Sequence, residues 1–258
     1  MVSTDSVSPV AISQASLERL SQLARQAGAA TLEHYHAGVA VAQKGDRGPV
    51  TAADHAAHAI IVPALEAWDP GIPVISEEGA IPDAAARAGW RRFWLVDPLD
   101  GTKEFIHRNG EFTVNIALIE DGVPVLGVIH APALALTYRA GRGLGSWRQR
   151  GNEPAEPIWS DRPAAGQALR VAESRSHPSA ELEAWVQTVP VAARVPVGSS
   201  LKFCLVAEGS ADVYPRLGPT MEWDVAAGDC IYRHSGRAAR ETKRSFESAI
   251  RCVLRAYR

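Results

Sequence analysis

The sequence predicts a protein of the α+β or α/β class. Two stretches in the first 70 residues carry apolar side chains at helical spacing, and the middle of the chain carries apolar runs separated by turn signals. Beyond about residue 168, short apolar runs alternate with helical segments, which is an α/β rhythm. A stretch rich in Pro, Gly and charge (151–167) is the predicted lobe boundary. We therefore predict an α+β lobe over 1–150 and an α/β lobe over 168–258.

The predicted N-terminal lobe begins with two helices. Apolar residues from Ile12 onward predict an amphipathic helix that ends near Gly38, and a second helix covers about 51–68. The stretch "VAVAQKGDRGPVTAAD" predicts a short strand followed by a polar loop between them. Short strands are predicted at 74–76 and 92–96, followed by two strands at 112–120 and 123–131 that the turn "EDG" joins as a hairpin. A further strand is predicted at 134–139, and "GRGLGSW" (141–147) is a turn between strands.

The predicted C-terminal lobe alternates between strands and helices. Strands are expected near 169–172, 191–197 and 211–214, and helices near 178–188, 200–208 and 222–234. The residues after about 234 form a segment crowded with Arg and Lys.

Charge and composition exclude several classes of function. The chain has 258 residues and a formal net charge of −2, so it lacks the basic excess that a nucleic-acid polymer binder needs. A small anionic substrate remains compatible, because a metal ion can supply positive charge locally. Cys204, Cys230 and Cys252 are widely spaced, which favours reduced thiols and a cytoplasmic protein. The start of the chain lacks signal-peptide features, and no apolar run reaches membrane-spanning length.

The stretch "WLVDPLDGTKEF" (94–105) ends an apolar run with two aspartates. Asp-Pro and Asp-Gly are common turn signals, so these residues are equally compatible with the plain end of a strand. In a continuing strand Asp97 and Asp100 would point to opposite faces. Pro98, however, forces the chain to turn. After that turn both carboxylates can converge with the Leu99 carbonyl, a set of hard oxygens that suits Mg²⁺.

The next residues predict a place for phosphate. Gly101 and Thr102 would open a helix, whose free N–H groups and positive dipole end favour an anion. Metal ligands and an anion cradle within six residues are a more specific combination than either alone.

Three further stretches carry acids with ordinary alternative roles. Glu77 and Glu78 in "VISEEG" are equally compatible with surface charge. Thr51 and Asp54 in "GPVTAADHAAHAI" resemble a helix-capping box. Asp224 in "TMEWDVAAGDCI" suits the dipole of the helix that it opens.

Taken together, these motifs resemble the inositol monophosphatase superfamily of Mg²⁺-dependent, lithium-sensitive phosphatases. "GDRGPVTAAD", "SEEG", "WLVDPLDGTKEF" and "EWDVAAGD" occur in the family's order and spacing, from about residue 12 to 234. Lys-Glu-Phe at 103–105 is similar to the subgroup of bacterial 3′(2′),5′-bisphosphate nucleotidases. The resemblance implies a layered αβαβα sandwich with the active site between the lobes.

The resemblance also implies roles for individual residues. The implied metal ligands are Glu77, Asp97, the Leu99 carbonyl, Asp100 and Asp224, with Asp97 bridging two ions. The implied catalytic residues are Asp54, Thr102 and Glu77, of which Asp54 and Thr102 polarise the attacking water. The implied substrate-binding residues are Leu99, Asp100, Gly101, Thr102, Ser199, Ser200, Lys202 and Asp224. Arg216, Glu222 and Lys44 are weaker candidates.

The implied activity is removal of the 3′-phosphate of adenosine 3′,5′-bisphosphate, with two or more Mg²⁺ ions. The alternatives are an inositol-1-phosphate or sugar-phosphate phosphatase, and a metal- or nucleotide-binding protein with low turnover. A homodimer and peripheral attachment to the inner membrane are further possibilities that the family suggests. The segment after residue 234 departs from the family pattern.

Overall fold

The computed structural model describes residues 10–37, 41–43, 49–161, 163–177 and 179–236. Lys44, Cys252 and most of the divergent C-terminal segment lie outside these ranges. The helices are α1 (Gln14–Ala37), α2 (Ala52–Trp68), α3 (Ala84–Arg87), α4 (Thr102–Ile106), α5 (Ala180–Val186), α6 (Leu201–Ala207) and α7 (Glu222–Ser235). The strands are β1 (Val41–Gln43), β2 (Pro49–Thr51), β3 (Val74–Ser76), β4 (Arg92–Asp100), β5 (Thr113–Glu120), β6 (Val123–Ala131), β7 (Leu136–Gly141), β8 (Gly145–Arg150), β9 (Glu156–Ile158), β10 (Leu169–Ser174) and β11 (Val191–Val197).

A seven-stranded sheet in the order β3-β4-β5-β6-β7-β8-β9 forms the centre of the fold. β3 pairs with β4 in parallel, and each later pair is antiparallel. The predicted hairpin between β5 and β6 is confirmed. Its turn residues Asp121 and Gly122 both have positive φ (50° and 74°), as a two-residue hairpin turn requires.

Helices cover both faces of this sheet. On β4, Trp94 and Val96 point into a core with Leu17 of α1 and Ile61 of α2. The intervening Leu95 points into a second core that α6 and α7 close from the other face. This alternation follows from the two-residue period of a strand.

A two-stranded parallel sheet, β10–β11, supplies the next layer. Val171 of β10 packs with Leu182 and Val186 of α5, whereas the neighbouring Ala172 packs with Val206 of α6. The helices α6 and α7 therefore lie between two sheets, and α5 lies outermost. The predicted αβαβα sandwich is confirmed.

Three features differ from the sequence prediction. The strand expected at 211–214 is reduced to a single bridge between Val171 and Val213. β9 lies inside the predicted boundary at 151–167, where it extends the large sheet. α7 belongs to the predicted C-terminal lobe but packs closely on β6. Gly127 permits this approach because it lacks a side chain, and a Cβ atom there would lie only 2.8 Å from Cys230 Cβ. The two-lobe division stays a prediction. No helix in the described ranges is both long and apolar enough to cross a membrane.

Candidate metal and phosphate site

A β-bulge places Asp97 and Asp100 on the same side of β4. Asp97 pairs with Asn115 of β5, and Asp100 pairs with Thr113, so three residues of β4 lie opposite two residues of β5. The extra residue reverses the alternation of side chains. The prediction that the strand ends in a turn at Pro98 is therefore wrong, because β4 continues through Asp100. The bulge nevertheless brings the two carboxylates to one side, as the turn was expected to do. Both aspartates line one cavity.

Gly101 and Thr102 continue this wall at the start of α4. Gly101 has φ of +89°, a backbone conformation that favours glycine. A Cβ atom there would lie 3.1 Å from Ser199 Cβ. Glycine therefore permits both the turn into α4 and the close approach of the chain before α6.

The cavity has a volume of about 290 Å³ and gathers most of the predicted site. The predicted residues in its wall are Glu77, Asp97, Leu99, Asp100, Gly101, Thr102, Ser199, Ser200, Lys202, Arg216 and Asp224. Asp54 is buried in the first turn of α2 rather than in this wall, but its charge is near enough to raise the pKa of Asp97. The structure thus brings together residues from five elements and the segments between them.

The acids in the cavity destabilise one another's charge. Burial, followed by the charges of Glu77, Asp100, Asp224 and Asp54, raises the pKa of Asp97 well above its ordinary value. Burial and Asp224 also raise the pKa of Asp100 to about 7. The ionised carboxylates are therefore unfavourable without a counter-charge, and a bound cation would stabilise them.

Asp224 lies at the start of α7, where it both caps the helix and lines the cavity. Its Oδ2 accepts hydrogen bonds from Met221 N (3.0 Å) and from the Thr220 hydroxyl (2.7 Å), so it caps the first turn of α7. It also lines the cavity. Helix capping holds the carboxylate at the cavity wall.

Within the described ranges, no three acidic, His or Cys side chains converge closely enough to form a ready-made metal cage. Like charges in one cavity repel one another, so close convergence requires a counter-charge. The residues fit Mg²⁺ in chemistry, since carboxylate oxygens dominate this wall and hard oxygens are its preferred ligands. The raised pKa values of Asp97 and Asp100 independently favour a cation in this place.

Basic side chains line the same cavity. Lys202 is only 5% exposed, and its Nζ donates to the carbonyl oxygens of Val197 and Ser199. Burial lowers its pKa to about 8, although the Asp100 and Glu104 carboxylates favour its charge. Arg216 and His177 line the same cavity. Sequence reasoning missed His177, because it follows β10 in a polar turn that carries no motif.

The segment before α6 is held in an unusual conformation. Ser199 has φ of +48°, and its buried hydroxyl has no hydrogen-bond partner among the described residues. Gly198 has no space for a side chain, since a Cβ would lie 2.4 Å from Glu104 Cγ. Glu111 secures the segment by accepting hydrogen bonds from Gly198 N (2.7 Å) and from the Arg175 guanidinium. Strain that surrounding contacts maintain is typical of binding sites.

Two weaker predictions need a correction or a comment. Glu222 was a weak candidate for the substrate side, but it forms an ion pair with Arg87 and does not line the cavity. That pair joins α3 to α7, two elements whose contact the sequence does not reveal. Glu78 lies 3.9 Å from His55 and is likewise outside the cavity wall, which agrees with its absence from the implied metal ligands.

The layered αβαβα fold thus holds a cavity lined by carboxylates together with a buried lysine, Arg216 and His177, a set of residues suited to a metal ion and a phosphate. A family model described as "Inositol monophosphatase family" matches residues 13–251, and the chain belongs to this family. The matched range continues into the divergent C-terminal segment.

Relatives within the family are similar over most of their length. The chain is 50% identical over 217 residues to the 3′(2′),5′-bisphosphate nucleotidase CysQ of Salmonella typhimurium, covering 83% of this chain and 86% of that protein. It is 48% identical over 222 residues to CysQ of Escherichia coli O157:H7, covering 85% and 88%. The crystal structure of CysQ from Bacteroides thetaiotaomicron matches with a TM-score of 0.73 and 40% identity, covering 86% of this chain and 87% of that one.

Proposed function

We propose that this chain is a Mg²⁺-dependent 3′(2′),5′-bisphosphate nucleotidase that hydrolyses the 3′-phosphate of adenosine 3′,5′-bisphosphate to give AMP and phosphate. The observation that carries the proposal is one cavity whose lining combines two sets of residues. The acidic wall is the set of carboxylates suited to metal ions, and the basic wall is the set formed by the buried Lys202 with Arg216 and His177. The identity to nucleotidases of the family supports the same substrate class.

We propose that two or more Mg²⁺ ions bind to the acidic wall. The residues that would hold them are Glu77, Asp97, the Leu99 carbonyl, Asp100 and Asp224, with Asp97 shared between ions. The four side-chain carboxylates of this set carry a total charge of about −4, which two divalent cations would neutralise. When bound, Mg²⁺ supplies activation of water and stabilisation of the departing oxygen.

The chain's own residues would then orient the reaction. Asp54 and Thr102 form the proposed pair that polarises the attacking water, and Glu77 is the third proposed catalytic residue. Gly101 and Thr102 contribute the start of α4 to the phosphate that leaves. The charge of Asp54 already acts on Asp97, which supports its nearness to the proposed metal site.

The basic wall favours a substrate with a second phosphate. An inositol monophosphate has a single phosphate, so it would leave Lys202, Arg216 and His177 without a second phosphate to bind, and that alternative is not favoured. A binding protein with low turnover is also not favoured, because the chain retains all the implied ligands together with Asp54 and Thr102. A cytoplasmic location and a homodimer stay predictions. Peripheral membrane attachment has no support in the described ranges.

Lys202→Met tests the assignment of the two walls. A hydrogen bond to a charged group contributes about 1.5–3 kcal/mol, so kcat/KM for adenosine 3′,5′-bisphosphate should fall about 10- to 100-fold. Adenosine 3′-monophosphate lacks the second phosphate, and its kcat/KM should fall much less. Arg91→Met is the control, because Arg91 forms an exposed ion pair with Asp121 away from the cavity. Equal losses for the two substrates would contradict the proposed role of this wall.

A further inference from the structure

A chain of buried polar side chains connects β5 to the start of α6 and ends at Asp100. The Thr113 hydroxyl lies 2.8 Å from the Ser200 hydroxyl, and Ser200 Oγ donates to Asn115 Oδ1 at 2.8 Å. Asn115 Nδ2 in turn points at Asp100 Oδ2 across 3.5 Å, longer than the usual hydrogen-bond distance of about 2.7–3.2 Å, so this contact is the weakest of the chain. Thr113, Asn115 and Ser200 are each at most 2% exposed. Buried polar groups at this depth require partners.

The chain of hydrogen bonds has a fixed direction. Ser200 has one hydroxyl proton and gives it to Asn115, so the Thr113 hydroxyl is the donor to Ser200. Because Asn115 Oδ1 accepts from Ser200, the amide nitrogen of Asn115 must face Asp100. The orientation of this amide is therefore set by the network.

The position of this network follows from the register of the sheet. Asn115 lies opposite Asp97 and Thr113 lies opposite Asp100, on both sides of the bulge in β4. A bulge disrupts the regular ladder, so the backbone alone fixes Asp100 less well than it would in a regular strand. Asp100 also accepts a hydrogen bond from the backbone N–H of Ser200. Its carboxylate is thus held from β5 and from the start of α6 together.

We infer that Asn115 is a positioning residue that orients the Asp100 carboxylate for Mg²⁺, an inference that rests on the proposed function. Asn115 touches neither substrate nor metal in this role. It restricts the rotation of Asp100, so less conformational freedom is lost when the carboxylate binds a cation. Partners of this kind typically contribute about 10-fold or more to metal affinity. The same network ties the substrate side, through Ser200, to a proposed metal ligand.

The test compares Asn115→Leu with the matched control Thr113→Val. Both changes are nearly isosteric. Asn115→Leu removes the link that contacts Asp100, whereas Thr113→Val removes the far end of the same buried network. Thr113→Val leaves Ser200 free to donate to Asn115, so the donor to Asp100 stays in place. The dissociation constant for Mg²⁺ is measured by titration calorimetry on the full chain without substrate. We expect Asn115→Leu to weaken binding about 10-fold and Thr113→Val to leave it near that of the wild type.

Kinetics separate positioning from general damage. At saturating Mg²⁺, Asn115→Leu should recover most of the wild-type kcat, while the Mg²⁺ concentration for half-maximal rate rises. If Asn115→Leu does not fold, Asn115→Ser replaces it, because a serine can accept from Ser200 but is too short to reach Asp100. Equal Mg²⁺ affinities for the Asn115 and Thr113 variants would overturn the inference. A wild-type chain that fails to bind Mg²⁺ would overturn the proposed function, and the inference with it.

Discussion

Asp100→Asn should stabilise the metal-free protein by an amount that grows with pH. Burial and the Asp224 carboxylate raise the pKa of Asp100 from 3.8 to about 7 in the folded chain. An unfolded chain lacks both effects, so the pKa of Asp100 there is about 4. The folded state therefore holds more protons in this window, and the contribution of Asp100 to stability is lost as the pH rises from about 4 to about 7.

The size of the effect follows from the shift in pKa. A shift of about 3 units corresponds to about 4 kcal/mol, since one unit is about 1.4 kcal/mol. About 3 kcal/mol of this stability is lost as the pH rises above about 5. For a chain of this size, that free energy corresponds to a difference in Tm on the order of 6–12 °C.

A comparison of the two proteins is needed because buried histidines have the opposite effect. Burial lowers the pKa of His130 and of His234 to about 4, so their contributions to stability rise with pH up to the ordinary histidine range. Both histidines are present in the variant and in the wild type, and their effects cancel in the difference.

The assay is thermal unfolding of wild type and Asp100→Asn in a chelator at about pH 5 and about pH 8. We expect the advantage of the variant to grow between these two values. Mg²⁺ favours the ionised carboxylate, so its addition should stabilise wild type more than the variant and should do so most at high pH. A difference in Tm that stays constant with pH would refute the reasoning, because Asp100 would then ionise alike in the folded and unfolded chains.

Three further predictions follow from the same cavity and the packing around it. Asp97→Asn should nearly abolish turnover but leave a folded protein, since the proposed bridging ligand loses its charge; substantial Mg²⁺-dependent phosphate release by the variant would contradict the bridging role. Li⁺ should inhibit far more than K⁺ at fixed Mg²⁺ and ionic strength, because it is close to Mg²⁺ in size with half the charge; equal inhibition by LiCl and KCl would indicate screening alone. Gly228→Ala should lower stability by about 1–3 kcal/mol, because its Cβ would lie 2.4 Å from the Phe203 ring. Gly89→Ala is the matched control in denaturant unfolding, since nothing lies within 4 Å of its Cβ position.

The local chemistry of the site could be predicted from short stretches of sequence. Pro98 between two aspartates forces a departure from regular strand geometry, and the bulge in β4 brings Asp97 and Asp100 to one side. Gly101 indicated the sharp turn before α4, which its positive φ confirms. These features depend on residues that are adjacent in the sequence, so a short stretch of sequence is enough to predict them.

Contacts between distant segments could not be predicted in the same way. The ion pair between Arg87 and Glu222 joins residues 135 positions apart, and it removes Glu222 from the substrate side. The link from Ser200 through Asn115 to Asp100 depends on the register of β5 against the bulge. A tight turn fixes strand register in a hairpin, but β4 and β5 are joined through α4 and a loop, so no local turn fixes the register of β5 against the bulge.

β8 and β9 illustrate a second limit. Their sequences are rich in Arg, Gln, Glu and Pro, which are poor strand signals. They form strands because β7 presents an open ladder to β8, and β8 does the same for β9. Tertiary pairing overrides the local preference of these residues.

The central claim is tested most directly by the products formed from adenosine 3′,5′-bisphosphate with and without Mg²⁺. We expect phosphate and AMP with its phosphate at the 5′ position, formed in the presence of Mg²⁺ and suppressed by a chelator. Inositol 1-phosphate, assayed at the same enzyme concentration, should be hydrolysed with a much lower kcat/KM. A product that retains the 3′-phosphate, undiminished release in the chelator, or a preference for inositol 1-phosphate would contradict the proposed function.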